Sequence, residues 1–442
     1  MLRFLRLQNW KSYYEPVEFT MVATRERRHG DRLARVGRSR ILPVAAIYGA
    51  NAAGKTTFVD GLEALRRIIL GARRAGAVLP VTPHLLKGEK EPTVFAIEIV
   101  VSAVEGDGGA ADRIFYYELV VDRRRVQREV LVQVKAQTEE FLFERDEDGV
   151  ILYGELDDDE RARAHAVVVA SNETLLGALG PEGTGAVGAV WDWFARRLNI
   201  IHPESTYMYL PERIDADTVF AQAMSSGLTR ADTGISEVRL EEMKMGALPV
   251  ESDQLDGLLE ELRESGGTFV IAVDGVDYAS LSLTEEGVPV ARRLVTVHRV
   301  ETGPAPEQRF SFTLPLREES NGTQRFMNLL PILFQLRDED SRSVFVVDEL
   351  ENSMHPKLTE DFIASFLEEL GEGDRRQLVF TTHEIQLMRS GLLRRDEIWL
   401  ADKNDGQSQL TRVSDYADIG VRKDADLLNF YMSGRLGGVP RV

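Results

Sequence analysis

Gly49-Ala50-Asn51-Ala52-Ala53-Gly54-Lys55-Thr56 is the stretch on which the reading of the whole chain turns. It satisfies the pattern G-x-x-x-x-G-K-[ST] at every fixed position. At average composition the pattern arises by chance in roughly one or two chains per hundred of this length. Its flanks make chance a weaker explanation still. Before it, Ile41 to Tyr48 (ILPVAAIY) is apolar on both faces, as a buried parallel strand is. After it, Thr57 to Leu70 reads as a helix. A glycine-bounded turn between strand and helix lets backbone N–H groups converge on phosphate oxygens, with a lysine to reach the β and γ oxygens and a hydroxyl to meet magnesium. Gly49, Asn51, Ala52, Ala53, Gly54, Lys55, Thr56 and Thr57 are therefore the candidate nucleotide-binding residues, with Thr56 also a candidate metal ligand.

Three further stretches gain meaning from that loop. Val344-Phe345-Val346-Val347-Asp348-Glu349 places two acids at the carboxyl end of a buried strand, where open α/β sheets bind ligands. Asp348 there can hold the water shell of a magnesium ion. Glu349 can orient or deprotonate a water that attacks a γ-phosphate. Glu319-Ser320-Asn321-Gly322-Thr323-Gln324-Arg325 runs directly into an apolar helix. It reads either as helix capping by Ser320 or as an anion-binding helix start. His383 closes Leu378-Val379-Phe380-Thr381-Thr382-His383, just past another buried strand, within hydrogen-bonding reach of a γ-phosphate on this reading.

Around these lie the remaining elements. Leu2 to Trp10 and the alternating Val17, Phe19 and Met21 read as a hairpin. Short alternating segments at 94–101, 114–121, 130–134, 141–143 and 150–153 predict antiparallel sheet. From 156 to 290 the pattern turns mainly helical, with a helix expected over 191–198 and two short strands over 270–283. Asp157-Asp158-Asp159-Glu160 reads as an acidic helix N-terminus, favoured by the helix dipole, in preference to a metal site. The last third returns to α/β, with helices over 326–336 and 358–370, strands over 343–347 and 377–381, and an edge hairpin over 398–413.

The chain has 442 residues, no cysteine, and 53 Lys+Arg against 72 Asp+Glu, for a formal charge of −19. Absence of cysteine excludes a disulfide scaffold, thiolate metal sites and a cysteine nucleophile, and suits a cytoplasmic location. No apolar run approaches the roughly 20 residues that span a bilayer. The acidic balance opposes non-specific coating of nucleic acid. One local exception is the cluster Arg25, Arg27, Arg28, Arg32, Arg35, Arg38 and Arg40, which reads as a solvated loop or as a contact with DNA phosphates.

The order of the motifs resembles that of the ABC-type ATPases of the SMC/RecF/OLD group. Lys55 and Thr56 match Walker A, and Ser320-Asn321-Gly322-Thr323-Gln324 the signature. Asp348-Glu349 match Walker B with its catalytic glutamate, Asn352-Ser353-Met354-His355 the D-loop, and His383 the switch histidine. Asn9-Trp10-Lys11-Ser12-Tyr13 is similar to the group's first-strand motif, which brings Lys11 near the nucleotide. Within the group the chain looks like the compact bacterial AAA-family ATPases of the RloA/AbiLi type. Tyr48 to Lys55, Ala231-Asp232-Thr233-Gly234-Ile235, Glu319 to Thr323, and Val421-Arg422-Lys423-Asp424 with Gly434-Arg435 carry that likeness. Asn321 and Thr323 depart from the commoner signature residues, and Gln133 and Gln137 are candidates for a Q-loop.

The resemblance implies an α/β P-loop NTPase of ABC-ATPase type, with a mixed central sheet, an antiparallel β subdomain and a helical insertion. Residues 1–155 and 291–442 would be the two halves of the ATPase and 156–290 the insertion. It implies ATP and Mg2+ as ligands, hydrolysis with Glu349 and His383 as the catalytic pair, and a homodimer in which Ser320 and Gly322 of one chain cap the ATP of the other. It further implies control of a separately encoded effector in defence against phage or plasmids. A nuclease domain of about 100 residues has no room after His383. The alternative is a RecF-like factor whose ATP-bound dimer clamps DNA. No Asn-Lys-x-Asp guanine reader supports a GTPase.

Overall fold

The computed structural model describes the chain except residues 72–73, 75, 87, 89, 102–111, 155, 232, 275–276, 285, 302–308, 338–340, 369, 420–426 and 434–442. Asp232, the run 421–424 and Gly434-Arg435, which carry part of the family resemblance, lie outside the described residues. Two compact units emerge: one from Met1–Pro203, Asp338–Glu351 and Ile363–Val442, the other from Glu204–Arg337 and Asn352–Phe362. These boundaries differ from the expected ones at 155/156 and 290/291.

The first unit holds two sheets and one long helix. Its parallel sheet runs Leu198–Ile201, Val344–Val347, Gln377–Thr382, Val44–Gly49, Ile398–Asn404, with Gln407–Arg412 added antiparallel at the edge. Val44–Gly49, Val344–Val347 and Gln377–Thr382 are buried at every position, which is why each reads as an unbroken apolar run. The second sheet is antiparallel and seven-stranded, in the order Val150–Leu152, Glu139–Arg145, Val126–Val134, Arg113–Val121, Thr93–Val101, Leu2–Gln8, Val17–Thr20. The helix Lys55–Leu70 buries Phe58, Val59, Leu62, Leu65, Ile68 and Ile69 in one core with both sheets. Phe19 of the antiparallel sheet sits 4.9 Å, ring to ring, from Phe58 of the helix and 4.9 Å from Trp399 of the parallel sheet. Each such ring contributes about 1.5–3 kcal/mol by leaving water, so the helix that follows the glycine loop is held firmly.

Of two expectations for 156–203, one holds and one changes. Asp157 caps the helix Asp158–Ala166, accepting from the Glu160 N–H at 2.8 Å, while Glu160 accepts from the backbone N–H groups of Gly185, Val187 and Gly188. These acids serve helix ends, as the dipole argument expects. The helix anticipated over 191–198 is instead a short helix Ala186–Asp192, a π turn Trp193–Arg197 and then the strand Leu198–Ile201. Four residues are too few to show a strand period, so its place in the parallel sheet went unread.

The second unit is helix and sheet together, not mainly helix. Pro289–Glu301 is its spine, pairing antiparallel with Ile235–Met243, Asp277–Leu283 and Arg309–Pro315, and Thr268–Asp274 extends the sheet. Against it lie Leu210–Ala216, Thr218–Arg230, Ser252–Ser265 and Asn321–Arg337 among the described helices. A small core of Leu248, Leu262, Ala279, Leu281 and Ala291 ties Ser252–Ser265 to the sheet. Among the described residues, no helix is long and apolar enough to cross a membrane.

Candidate functional site

At the carboxyl edge of the parallel sheet the chain turns sharply after Gly49. Ala52 adopts φ +61° and Gly54 φ +114°, both left-handed. At Gly54 a Cβ would lie 2.7 Å from Ser408 Oγ, so only glycine fits between loop and edge hairpin. Ser408 is held in turn by its hydroxyl on Ser12 Oγ at 2.8 Å, and Tyr13 donates its hydroxyl to the Gly54 carbonyl at 2.9 Å. The helix Lys55–Leu70 thus begins without a side-chain cap, leaving its first-turn N–H groups for a ligand. A cleft of about 770 Å3 opens beside the loop, lined by residues 49–53, His383, Asp402 and Lys403 among others.

Lys55 is only 6 % exposed. Its ammonium donates to the Gly49 carbonyl at 2.9 Å, the Ala50 carbonyl at 3.1 Å and His383 Nε2 at 2.9 Å. Burial lowers its pKa, opposed by Glu349, Glu351 and Asp348. His383 is also lowered from 6.5, first by burial and then by the Lys55 charge, so its ring stays neutral and Nε2 accepts from the ammonium. A buried cation whose bonds run to neutral groups, beside an uncapped helix start, fits a phosphate.

The acids meet on the neighbouring strands. Asp348 is 1 % exposed and accepts from Thr381 Oγ1 at 2.5 Å, while Thr381 Oγ1 accepts from the Glu349 N–H at 2.8 Å. One threonine thereby sets the positions of both acids. Glu349 carries φ +48°, a left-handed conformation that costs a non-glycine residue about 1–2 kcal/mol. Glu351 accepts from the His383 backbone N–H, which ties the strand end after Asp348 to the one after Thr382. Thr56 is exposed at the first turn of the helix. A buried carboxylate and an exposed hydroxyl suit a divalent ion bound through water.

Lys55, Asp348, Glu349 and His383 therefore gather at one sheet edge from three strands. Lys11 does not bond to them: it adopts φ +49° and its ammonium pairs with Asp60 of the helix Lys55–Leu70. Asp60, Glu63 and His202 approach within 4.8 Å, but His202 bonds Glu63 at 2.9 Å and the Lys11 ammonium occupies Asp60, so the set is satisfied internally. Thr381, Glu351, Ser12 and Ser408 were not singled out for the site by the sequence. Thr381 could have been, as a polar residue inside an otherwise apolar strand.

Ser320 and Gly322 belong to the second unit. The Thr323 N–H donates to Ser320 Oγ at 3.2 Å, so Ser320 caps the helix Asn321–Arg337. At Gly322 a Cβ would lie 2.4 Å from the Ser353 carbonyl, which holds the helix start against the turn 352–355. Glu319 accepts from Thr296 and from His298 Nε2 at 2.7 Å.

A parallel sheet, a glycine turn into a helix, a buried lysine and paired acids at the neighbouring strand ends define a P-loop nucleotide-binding protein. More particularly, the chain belongs to the family described as "AAA domain, putative AbiEii toxin, Type IV TA system", whose sequence profile matches residues 44–389. No curated protein matches it by sequence. Among solved structures it is similar to an SMC head bound to the C-winged helix domain of ScpA, with 12 % identity, TM-score 0.41, and 93 % of this chain and 96 % of that one covered. It is also similar to the SMC head domain from Thermotoga maritima, with 12 % identity, TM-score 0.35, and coverage of 93 % and 98 %.

Proposed function

We propose that the chain binds ATP at the P-loop and hydrolyses it, and that two copies close around the nucleotide. The observation that carries this is the grouping of Lys55, Asp348, Glu349 and His383 at one edge of the parallel sheet, with Thr381 fixing the acids. Residues 49–57 hold the phosphates, Lys55 exchanging its loop carbonyls for phosphate oxygens. Asp348 and Thr56 hold Mg2+, which when bound draws charge from the phosphate oxygens. Glu349 orients the attacking water and takes its proton. His383, neutral beside Lys55, offers a ring N–H to the oxygens of the reacting phosphate. The helix start at Ser320-Asn321-Gly322 caps the phosphates of the partner copy, so ATP favours the closed pair and hydrolysis releases it. Glu349→Gln should still bind ATP, lose turnover by about 10²–10⁴-fold, and accumulate as an ATP-dependent dimer in sedimentation. Turnover at the wild-type rate would remove Glu349 from this role.

The family description, which names an AbiEii toxin and a type IV toxin–antitoxin system, supports a role in defence. On this reading the ATP cycle gates a separately encoded effector. Co-expression with neighbouring genes, scored for growth arrest that depends on Lys55, tests it.

A second reading, ATP-dependent DNA binding, draws on the hairpin Ala34–Val36/Ser39–Ile41. Arg35 and Arg40 stand directly opposite each other there, exposed, with Arg38 at the turn. Like charges so paired are destabilising unless an anion joins them. The cluster is not all available: Arg32 is buried against Glu397 at 2.5 Å, and Arg28 donates to the Gly391 carbonyl. Duplex binding with ATP across a salt series decides; no affinity at low salt would end this reading.

A further inference from the structure

A second cavity, of about 360 Å3, opens in the same unit at the opposite edge of the parallel sheet from Lys55. Arg342 enters it just ahead of the strand Val344–Val347, and Arg196 and Arg197 come from the π turn. Arg113 comes from the start of Arg113–Val121. Among the described residues the lining carries four arginines and a single acid, Asp192, which lies 3.0 Å from Arg196 and 4.0 Å from Arg197 and so orients both. In a chain of net charge −19 such a concentration of guanidinium groups is out of keeping with the rest of the surface. None of the lining residues belongs to the P-loop cleft.

An independent feature points to a ligand. Trp193 also lines the cavity and is only 2 % exposed, yet among the described residues its indole Nε1 has no acceptor. Buried indole N–H groups almost always find a partner, because leaving one unmade is costly. An acceptor arriving through the cavity would satisfy it.

We propose that this cavity is a second anion site that takes a small phosphorylated ligand. Guanidinium forks match the oxygens of a phosphate, and several together suit an anion of more than one charge. A phosphate oxygen is also the acceptor that the Trp193 indole lacks. The volume falls within the range of small-ligand pockets, large enough for pyrophosphate or a mononucleotide and too small for a folded partner.

Inorganic pyrophosphate titrated into Lys55→Ala protein, followed by calorimetry and tryptophan fluorescence, tests the proposal apart from the P-loop. One equivalent should bind. The further changes Arg197→Ala and Arg342→Ala, made together, should weaken it about ten- to a hundred-fold. Trp193→Phe, which keeps the ring and removes only the N–H, should weaken it several-fold. In otherwise wild-type protein these changes should leave ATP binding at the P-loop intact, which also certifies the fold. A parallel titration with AMP distinguishes sources: tighter binding than pyrophosphate extends the site to a nucleoside phosphate, and pyrophosphate alone confines it to the phosphate group. Absence of binding, or binding indifferent to both the arginine and the Trp193 changes, overturns the proposal.

Discussion

The strands around Val44–Gly49 and those around Pro289–Glu301 show how differently two sheets of one chain can be written. The three central strands of the first sheet, Val44–Gly49, Val344–Val347 and Gln377–Thr382, are buried on both faces and have no exposed position. The second has a partly exposed face, and Ile235–Met243 buries only its first and fourth residues. Strands closed on both sides can carry acids only at their ends. That is where Asp348 and Glu349 stand, with geometry set by Thr381 and not by solvent. The second unit instead carries the helix start at Ser320 and Gly322, held by its own cap and by the Ser353 carbonyl. On the proposed cycle, binding and chemistry fall to the first unit, and completion of the site by a second copy falls to the second.

Changes in each unit should therefore fail differently. Lys55→Ala, in the first, should remove measurable ATP binding by the isolated chain, read by equilibrium dialysis. Ser320→Arg, in the second, should leave that binding unchanged while abolishing turnover; retained turnover would break the contrast and with it the site shared between copies. A middle-sized effect belongs to Thr381→Val, which keeps the shape but deletes the hydroxyl on Asp348 and Glu349. It should lower kcat about ten- to a hundred-fold with little change in ATP affinity. The smallest effect is in pH. His383 is held below its ordinary 6.5 by burial and by Lys55, so the folded site prefers the neutral ring. As pH falls below that ordinary value, the unfolded chain takes up the proton first and stability declines. Thermal melts from pH 7 to 5 should show this decline shrink in His383→Gln.

How much of this was readable beforehand follows the same division. The glycine loop, the helix after it and the strands ending at Asp348 and before His383 were legible, because fixed spacing and two-sided burial leave strong local patterns. The partner of Lys11 was not legible: its ammonium pairs with Asp60 of the helix Lys55–Leu70, and no local signal says which acid a lysine will choose. The bond between Ser12 and Ser408 joins residues far apart in the chain, invisible without the fold. In 156–290 the strand Ile235–Met243 was missed because its polar residues outnumber its apolar ones, so neither period stands out.

The left-handed backbone of Glu349 has an evolutionary corollary. Glycine would sit at that torsion without strain, so Glu349→Gly should yield a chain of equal or higher melting temperature with no base to drive the reaction. If Glu349 is the base proposed above, thermal hardiness and turnover pull in opposite directions at this one position.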